Sequence, residues 1–355
     1  MKMGFRWYGS DNDPIPLQHI RQIPGVTQIV GALFDIPAGE VWPRERIAAL
    51  RAEVEAAGLA LEVIESVNIH DDIKIGRPSR DRYIANYIAT IENLAAHQIK
   101  VICYNFMPVF DWIRTSLRYE LPDGSFALAL ERAVVAGSAQ DVMRRVTDSA
   151  GGFLLPGWEP ERLADLQGLL DAYAEVDNAA LTDNFRYFIK AVMPVCERLD
   201  VKLAVHPDDP PSELFGLPRI VKDAADLRVI ESFHDSPYHG FTICTGSLGE
   251  NPDNDVPAII REFAGRGKVP FVHARNIKRL PNGDFHESAH LSSEGSLDMY
   301  EVMRALHDTG FDGYVRPDHG RDIWGERGRP GYGLHDRALG VAYLNGLWEA
   351  IQKSG

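Results

Sequence analysis

Gly313-Tyr314-Val315-Arg316-Pro317-Asp318-His319-Gly320-Arg321, followed a few residues on by Gly331-Tyr332-Gly333, is where this chain shows its plan. A short β-branched and aromatic run ends abruptly in charged and titratable side chains. Three earlier apolar runs end the same way. Val201 to Val205 closes at His206, Gly240 to Ile243 closes at Cys244, and Val269 to Val272 closes at His273. Side chains alternate across a strand, so His206 shares a face with Ala204, Cys244 with Thr242, His273 with Phe271 and Asp318 with Arg316. The apolar neighbours Val205, Ile243, Val272 and Val315 then point the other way.

Working outward, the same unit recurs. Gly4 to Tyr8, Thr27 to Leu33, Leu59 to Val67 and Lys100 to Asn105 read as four earlier strands. Helical periodicity fills the gaps: Pro43 to Ala57, Arg80 to Gln98, Asn178 to Arg198, Pro218 to Ser232, Val256 to Gly265, Leu297 to Gly310, and a closing helix from Asp336 to Lys353. The closing helix is expected to bury Leu339, Tyr343, Leu344, Leu347 and Ile351. Eight strands alternating with helices, and no glycine-rich dinucleotide or phosphate turn after any strand, predict one (β/α)8 TIM barrel over residues 1–355. The rhythm breaks once. Residues from about 106 to 175 carry Pro, Trp and Ala-rich helical pieces without a strong strand signal. They predict a helical insertion after strand 4, a lid or an oligomerisation element. Pro281 to Ser293 reads as polar loop.

Composition narrows the function classes. The 355 residues carry 51 acidic against 37 basic side chains, a formal net charge of -14, with no basic stripe, which argues against a nucleic-acid partner. Three cysteines without a paired spacing argue against a disulfide scaffold. The start of the chain lacks the apolar core of a signal peptide, and no run reaches the ~18 apolar residues of a membrane helix. The expectation is a cytoplasmic, soluble protein with no membrane partner.

In a (β/α)8 barrel the active site lies at the C-terminal ends of the strands, where His206, Cys244, His273 and Asp318 all fall. Two imidazoles, a thiolate and a carboxylate form a mixed donor set for a divalent transition metal. Four protein ligands leave an open position only for an ion that exceeds tetrahedral coordination, such as Mn²⁺ or Fe²⁺. Taken singly, a histidine at a strand end is more often a packing residue and a cysteine a small buried hydrophobe. Arg275, Arg316, Arg321 and Arg337 are candidate clamps for a carboxylate ligand, each with a rim salt bridge as the plain alternative. Trp7, Ser66, His70 and Asn105 stand at other strand ends as candidate hydroxyl-binding residues.

The segments His206-Pro207-Asp208-Asp209-Pro210-Pro211, Ile243-Cys244-Thr245-Gly246-Ser247, Val272-His273-Ala274-Arg275-Asn276 and Arg316-Pro317-Asp318-His319-Gly320-Arg321 together resemble mannonate dehydratase of the hexuronate (glucuronate) catabolic pathway. Tyr332 within Gly331-Tyr332-Gly333-Leu334-His335-Asp336-Arg337 adds to the likeness, which runs from Met1 through the closing helix. The resemblance implies a xylose-isomerase-like barrel and a Mn²⁺ cofactor for which Fe²⁺ substitutes. It implies conversion of D-mannonate to 2-keto-3-deoxy-D-gluconate and water. It also implies His206, Cys244, His273 and Asp318 as metal ligands, His319 and Tyr332 as catalytic groups, and a homo-oligomer, dimer or higher.

The chemistry can be reasoned separately. Dehydrating a sugar acid removes a weakly acidic proton beside a carboxylate and expels the neighbouring hydroxyl, so it needs charge neutralisation at the carboxylate, a base and an acid. Tyr332, its pKa lowered by metal and arginines, is expected to take the proton while His319 protonates the leaving hydroxyl; the reverse assignment stays open. The competing readings are a metal-dependent sugar isomerase or epimerase on the same barrel, whose sites usually hold more carboxylate ligands, and a non-catalytic sugar-acid binding protein.

Overall fold

Eight parallel strands close into a barrel in the order β1 (Lys2–Arg6), β12 (Tyr314–Arg316), β9 (Phe271–His273), β8 (His239–Cys244), β7 (Lys202–Val205), β4 (Val101–Tyr104), β3 (Ala60–Glu65) and β2 (Val26–Gly31). The computed structural model describes residues 1–149 and 166–354. Each expected strand is present, with its ends within two residues of the expected bounds. The registers place the four candidate donors at one rim: Cys244 pairs with His273, and Arg316 with His273.

Alternation sorts the two faces. Val30, Val63, Val101, Cys103, Ala204, Phe271 and Tyr314 fill the barrel interior as one cluster. Ile29, Ile64, Ile102, Val205, Ile243, Val272 and Val315 belong to the larger core shared with the surrounding helices. These inward and outward sets are the ones the period of two demands.

Two expectations change. The insertion is helical only in its later part: it opens with an antiparallel hairpin, β5 (Ser116–Glu120) and β6 (Phe126–Leu130), before helices at Arg132–Val135, Ala139–Ser149 and Leu166–Tyr173. Residues 150–165 of the expected insertion lie outside the described residues. The polar stretch after β9 is also a hairpin, β10 (Ile277–Arg279) and β11 (Phe285–Glu287), and it joins the first in a four-stranded sheet ordered β10-β11-β6-β5. Phe-Ala-Leu-Ala-Leu in β6 has helix-favouring residues, so pairing with β11 rather than intrinsic preference makes it a strand. This second sheet stands beside the barrel mouth, and Glu287 of β11 reaches His319 there.

The closing helix runs from His335 to Ser354 and buries Asp336, Arg337, Gly340, Val341, Leu344 and Ile351. Leu339, expected inside, is 47% exposed. The buried stripe passes through polar residues because Asp336 and Arg337 reach toward the site loop, a pattern that apolar periodicity does not register.

Candidate active site

One cavity opens at the C-terminal mouth of the barrel. Its lining includes Arg6, Tyr8, Glu65, Asn105, Trp112, His206, His273, Arg316, Asp318, His319 and Tyr332. Donor atoms of His206, Cys244 and His273 lie within 4.8 Å of one another. Asp318 Oδ2 is 3.5 Å from Cys244 Sγ and 3.8 Å from His273 Nδ1, so the four strand-end candidates form one cluster.

The hydrogen bonds around the imidazoles test whether a cation fits. His206 Nδ1 must donate to the Pro207 carbonyl at 2.7 Å, and His273 Nε2 donates to the Glu65 carboxylate at 3.1 Å. Each neutral ring therefore turns a lone pair inward, and the facing nitrogens, His206 Nε2 and His273 Nδ1, are 3.1 Å apart. Two lone pairs at that distance repel unless a positive centre lies between them. Engaging the outer nitrogen of a ligand histidine with a carbonyl or carboxylate is also the usual arrangement around a bound metal. Cys244 Sγ accepts from Ser247 Oγ at 3.1 Å, which orients the sulfur within the cluster. Burial alone would raise the Asp318 carboxyl, but His319, Arg316, His273 and Arg275 outweigh it and hold it well below the carboxylate range. The donor set fits a divalent transition ion.

Beside the cluster runs a chain of hydrogen bonds. His319 Nδ1 donates to Glu287 Oε1 at 3.0 Å, which leaves Nε2 of the neutral ring as acceptor for the Tyr332 hydroxyl, also at 3.0 Å. Burial works against ionising Glu287, yet Arg275, His319 and Arg114 keep its pKa at about 2. Burial, reinforced by Tyr8 and Asp318, pushes the Tyr332 phenol well up, and Arg316 offsets only part of this. A protonated phenol must hand its proton on before it can accept another. The loop that carries it is tied down. Arg337 donates to the Tyr332 carbonyl at 2.5 Å and to the Gly333 carbonyl at 2.7 Å. Gly331 sits at φ +77°, and a Cβ there would meet Leu128 of β6 at 2.7 Å, so only glycine passes beneath the hairpin.

The other sequence candidates divide. Arg316 lines the cavity but bridges Glu65 at 2.7 Å and Asp318 at 2.8 Å. Asn105 and Ser66 line it too. Arg275 lies beneath, fully buried between Glu287, Asp209 and Asp318. Arg321 bridges Asp123 and Asp336 on the rim. Trp7, just past the end of β1, faces away from the side of Arg6 and Tyr8 and donates to the Ile15 carbonyl. His70 caps the short helix Asp71–Ile75 and stacks on Tyr83 at 3.6 Å. None of Arg275, Arg321, Trp7 and His70 borders the cavity.

Sequence reasoning missed Glu65, Glu287, Arg114 and Arg6. Parity on β3 and β1 points Glu65 and Arg6 inward, so a signal existed for these two. Glu287 lay in an unread strand, and Arg114 reaches Asp209 at 2.5 Å and Glu287 at 2.9 Å from the insertion.

A closed parallel barrel with an imidazole–thiol–carboxylate cluster that could hold a metal ion, and a Glu287–His319–Tyr332 hydrogen-bond chain beside it, has the architecture of a TIM-barrel enzyme. The fold alone is shared with a xylose isomerase domain protein from Planctomyces limnophilus, at a TM-score of 0.55 and 13% identity. The chain belongs to the D-mannonate dehydratase (UxuA) family, whose profile it matches over residues 1–355. It is 58% identical to a mannonate dehydratase of Lactococcus lactis subsp. lactis, covering 100% of this chain and 99% of that protein. The mannonate dehydratase of Thermotoga petrophila is 55% identical, over 99% of this chain and 98% of its own. The crystal structure of mannonate dehydratase from Streptococcus suis serotype 2 superposes with a TM-score of 0.91 at 43% identity, covering 100% of this chain and 95% of that one. Enzymes of this family are hydro-lyases. No helix among the described residues is long and apolar enough to cross a membrane.

Proposed function

We propose that this chain dehydrates D-mannonate to 2-keto-3-deoxy-D-gluconate, with His206, Cys244, His273 and Asp318 as metal ligands and Tyr332 and His319 as the proton-transfer pair. The observation that carries the reading is the Glu287–His319–Tyr332 relay ending in the same cavity as the donor cluster. A divalent ion held there, Mn²⁺ with Fe²⁺ as substitute, supplies Lewis-acid neutralisation of the charge that builds on the substrate carboxylate.

The residues do the rest. As Tyr332 Oη takes the C2 proton, its own proton passes to His319 Nε2, and Glu287 stabilises the imidazolium so formed. The electrons of the C2–H bond become the C2–C3 double bond as the C3–O bond breaks. His319 gives its Nε2 proton to the departing hydroxyl, which leaves as water, and the enol product tautomerises to the 2-keto acid. Tyr332 and His319 end in their starting protonation states. This ordering accounts for a tyrosine whose surroundings oppose ionisation, because the phenolate never persists.

Arg316 holds Asp318 and Glu65 in place, and Asn105 is available to substrate hydroxyls. Trp7, His70, Arg275 and Arg321 support the walls. Trp112, early in the insertion, walls the mouth, and its ring meets His319 edge-on at 5.8 Å. We also infer a cytoplasmic homo-oligomer, dimer or higher, that light scattering would size. The test of function is incubation of metal-loaded protein with D-mannonate and assay for a 2-keto acid; bound Mn²⁺ without product would refute it.

A further inference from the structure

The arginines around the site are nearly all spoken for. Arg275 and Arg114 are engaged by Asp209 and Glu287, Arg316 by Glu65 and Asp318, Arg321 by Asp123 and Asp336, and Arg337 by backbone carbonyls. Arg6 is different. It is 3% exposed, lines the cavity from the end of β1, and no ion pair holds it among the described residues. Its Nη1 donates to the Val30 carbonyl at 3.2 Å, while Nε is buried with no partner. Nη2 likewise has no partner among the described residues. Nε–H and Nη2–H lie on one edge of a guanidinium and point the same way, which is the edge that meets a carboxylate with two parallel hydrogen bonds. Tyr8 and Phe34 rings, 4.8 and 5.1 Å from the guanidinium carbon, hold the group flat. Glu65, whose ionisation Arg6 favours, is already bridged by Arg316 and His273.

A buried cation with its two-pronged edge unmet, at the wall of an active-site cavity, is costly unless an anion completes it. We propose that Arg6 is a specificity-determining residue of the site, whose Nε/Nη2 edge receives the carboxylate of a sugar-acid substrate. The proposal rests on the dehydratase reading and adds to it the residue that separates acids from neutral sugars. The Val30 carbonyl fixes the third nitrogen, so the edge is aimed before substrate arrives. As C2 loses its proton, charge moves onto the carboxylate, and the same two hydrogen bonds strengthen toward the transition state.

The test measures binding by calorimetry in a Tyr332→Phe background, where turnover is blocked, using D-mannonate and its neutral amide, D-mannonamide. Arg6→Met is expected to weaken D-mannonate about 10- to 100-fold, the size of one or two hydrogen bonds to a charged group, and the amide far less. Arg6→Lys keeps the charge and stem but loses the fork. It is expected to lose about tenfold of the acid-over-amide preference, and it serves if the methionine variant does not fold. An unchanged preference in a folded Arg6 variant overturns the proposal, as does a wild-type site with no preference for acid over amide. If the wild type prefers the acid through Arg6 yet forms no 2-keto acid, the dehydratase reading fails and the clamp stands.

Discussion

Glu287→Gln removes one negative charge and keeps nearly the same shape, which makes it the sharpest probe of the relay. Glu287 is fully buried and accepts from Arg275 at 2.6 and 2.7 Å, Arg114 at 2.9 Å and His319 at 3.0 Å. Its pKa falls from the ordinary 4.5 to about 2. At ~1.4 kcal/mol per unit, ionised Glu287 contributes about 3 kcal/mol to the fold. The sign follows from the depressed value: the contribution is complete above pH 4.5 and is lost only as pH falls toward 2. At pH 7 the variant should therefore melt about 4 °C below the wild type, given the transition entropy of a chain this long. The catalytic effect should be larger. His319, Arg114 and Arg275 all donate to Glu287 Oε1, so an amide oxygen at that position still accepts from His319 Nδ1, and only the negative charge is lost. The neutral side chain no longer stabilises the imidazolium that forms when Tyr332 hands on its proton. Loss of that charge should lower kcat about 10²–10⁴-fold, with KM and metal content little changed. Steady-state kinetics, metal analysis and ¹⁵N spectra of His319 read these out. A folded, metal-replete Glu287→Gln enzyme with kcat within about threefold of wild type would refute the relay, because general acid–base steps carry far more than that.

Tyr332→Phe should abolish turnover, a loss of at least about 10²-fold, while the bound metal measured by elemental analysis is unchanged. Cys244→Ser, or alkylation of the thiol, should lower metal content and activity together, since thiolate is the softest donor in the set; activity lost with metal fully retained would contradict the ligand role. Stripping metal with a chelator should silence the enzyme, and Mn²⁺ should restore it. His239 offers a stability test away from the chemistry. Burial lowers its pKa from 6.5 to about 4, and its Nε2 has no partner. The neutral ring is the one the fold accepts, so stability is complete above pH 6.5 and falls by about 3 kcal/mol as pH drops to 4. His239→Gln should flatten that slope in thermal melts; an equally steep slope would show that other groups cause it.

The barrel and the donor cluster were legible in the chain because both follow from local rules. Strands announce themselves by β-branched runs, and a period of two carries His206, Cys244, His273 and Asp318 to one face at one end. Closing the barrel then brings them together without further instruction. The same parity would have turned Arg6 and Glu65 inward had β1 and β3 been followed to their ends. Tertiary structure alone decided the surroundings. Arg114 and Glu287 are 173 positions apart and meet only because two hairpins, each too short to be marginally stable alone, pair beside the mouth. Which arginines remain open to a ligand depends on where every carboxylate settles, so Arg275 and Arg321 are taken while Arg6 is not. Burial, which raises the Tyr332 phenol, belongs to the packed molecule and to no stretch of sequence. The four strand-end candidates were written along the strands; the Glu287–His319–Tyr332 hydrogen-bond chain and the unmet edge of Arg6 came from packing distant segments around them.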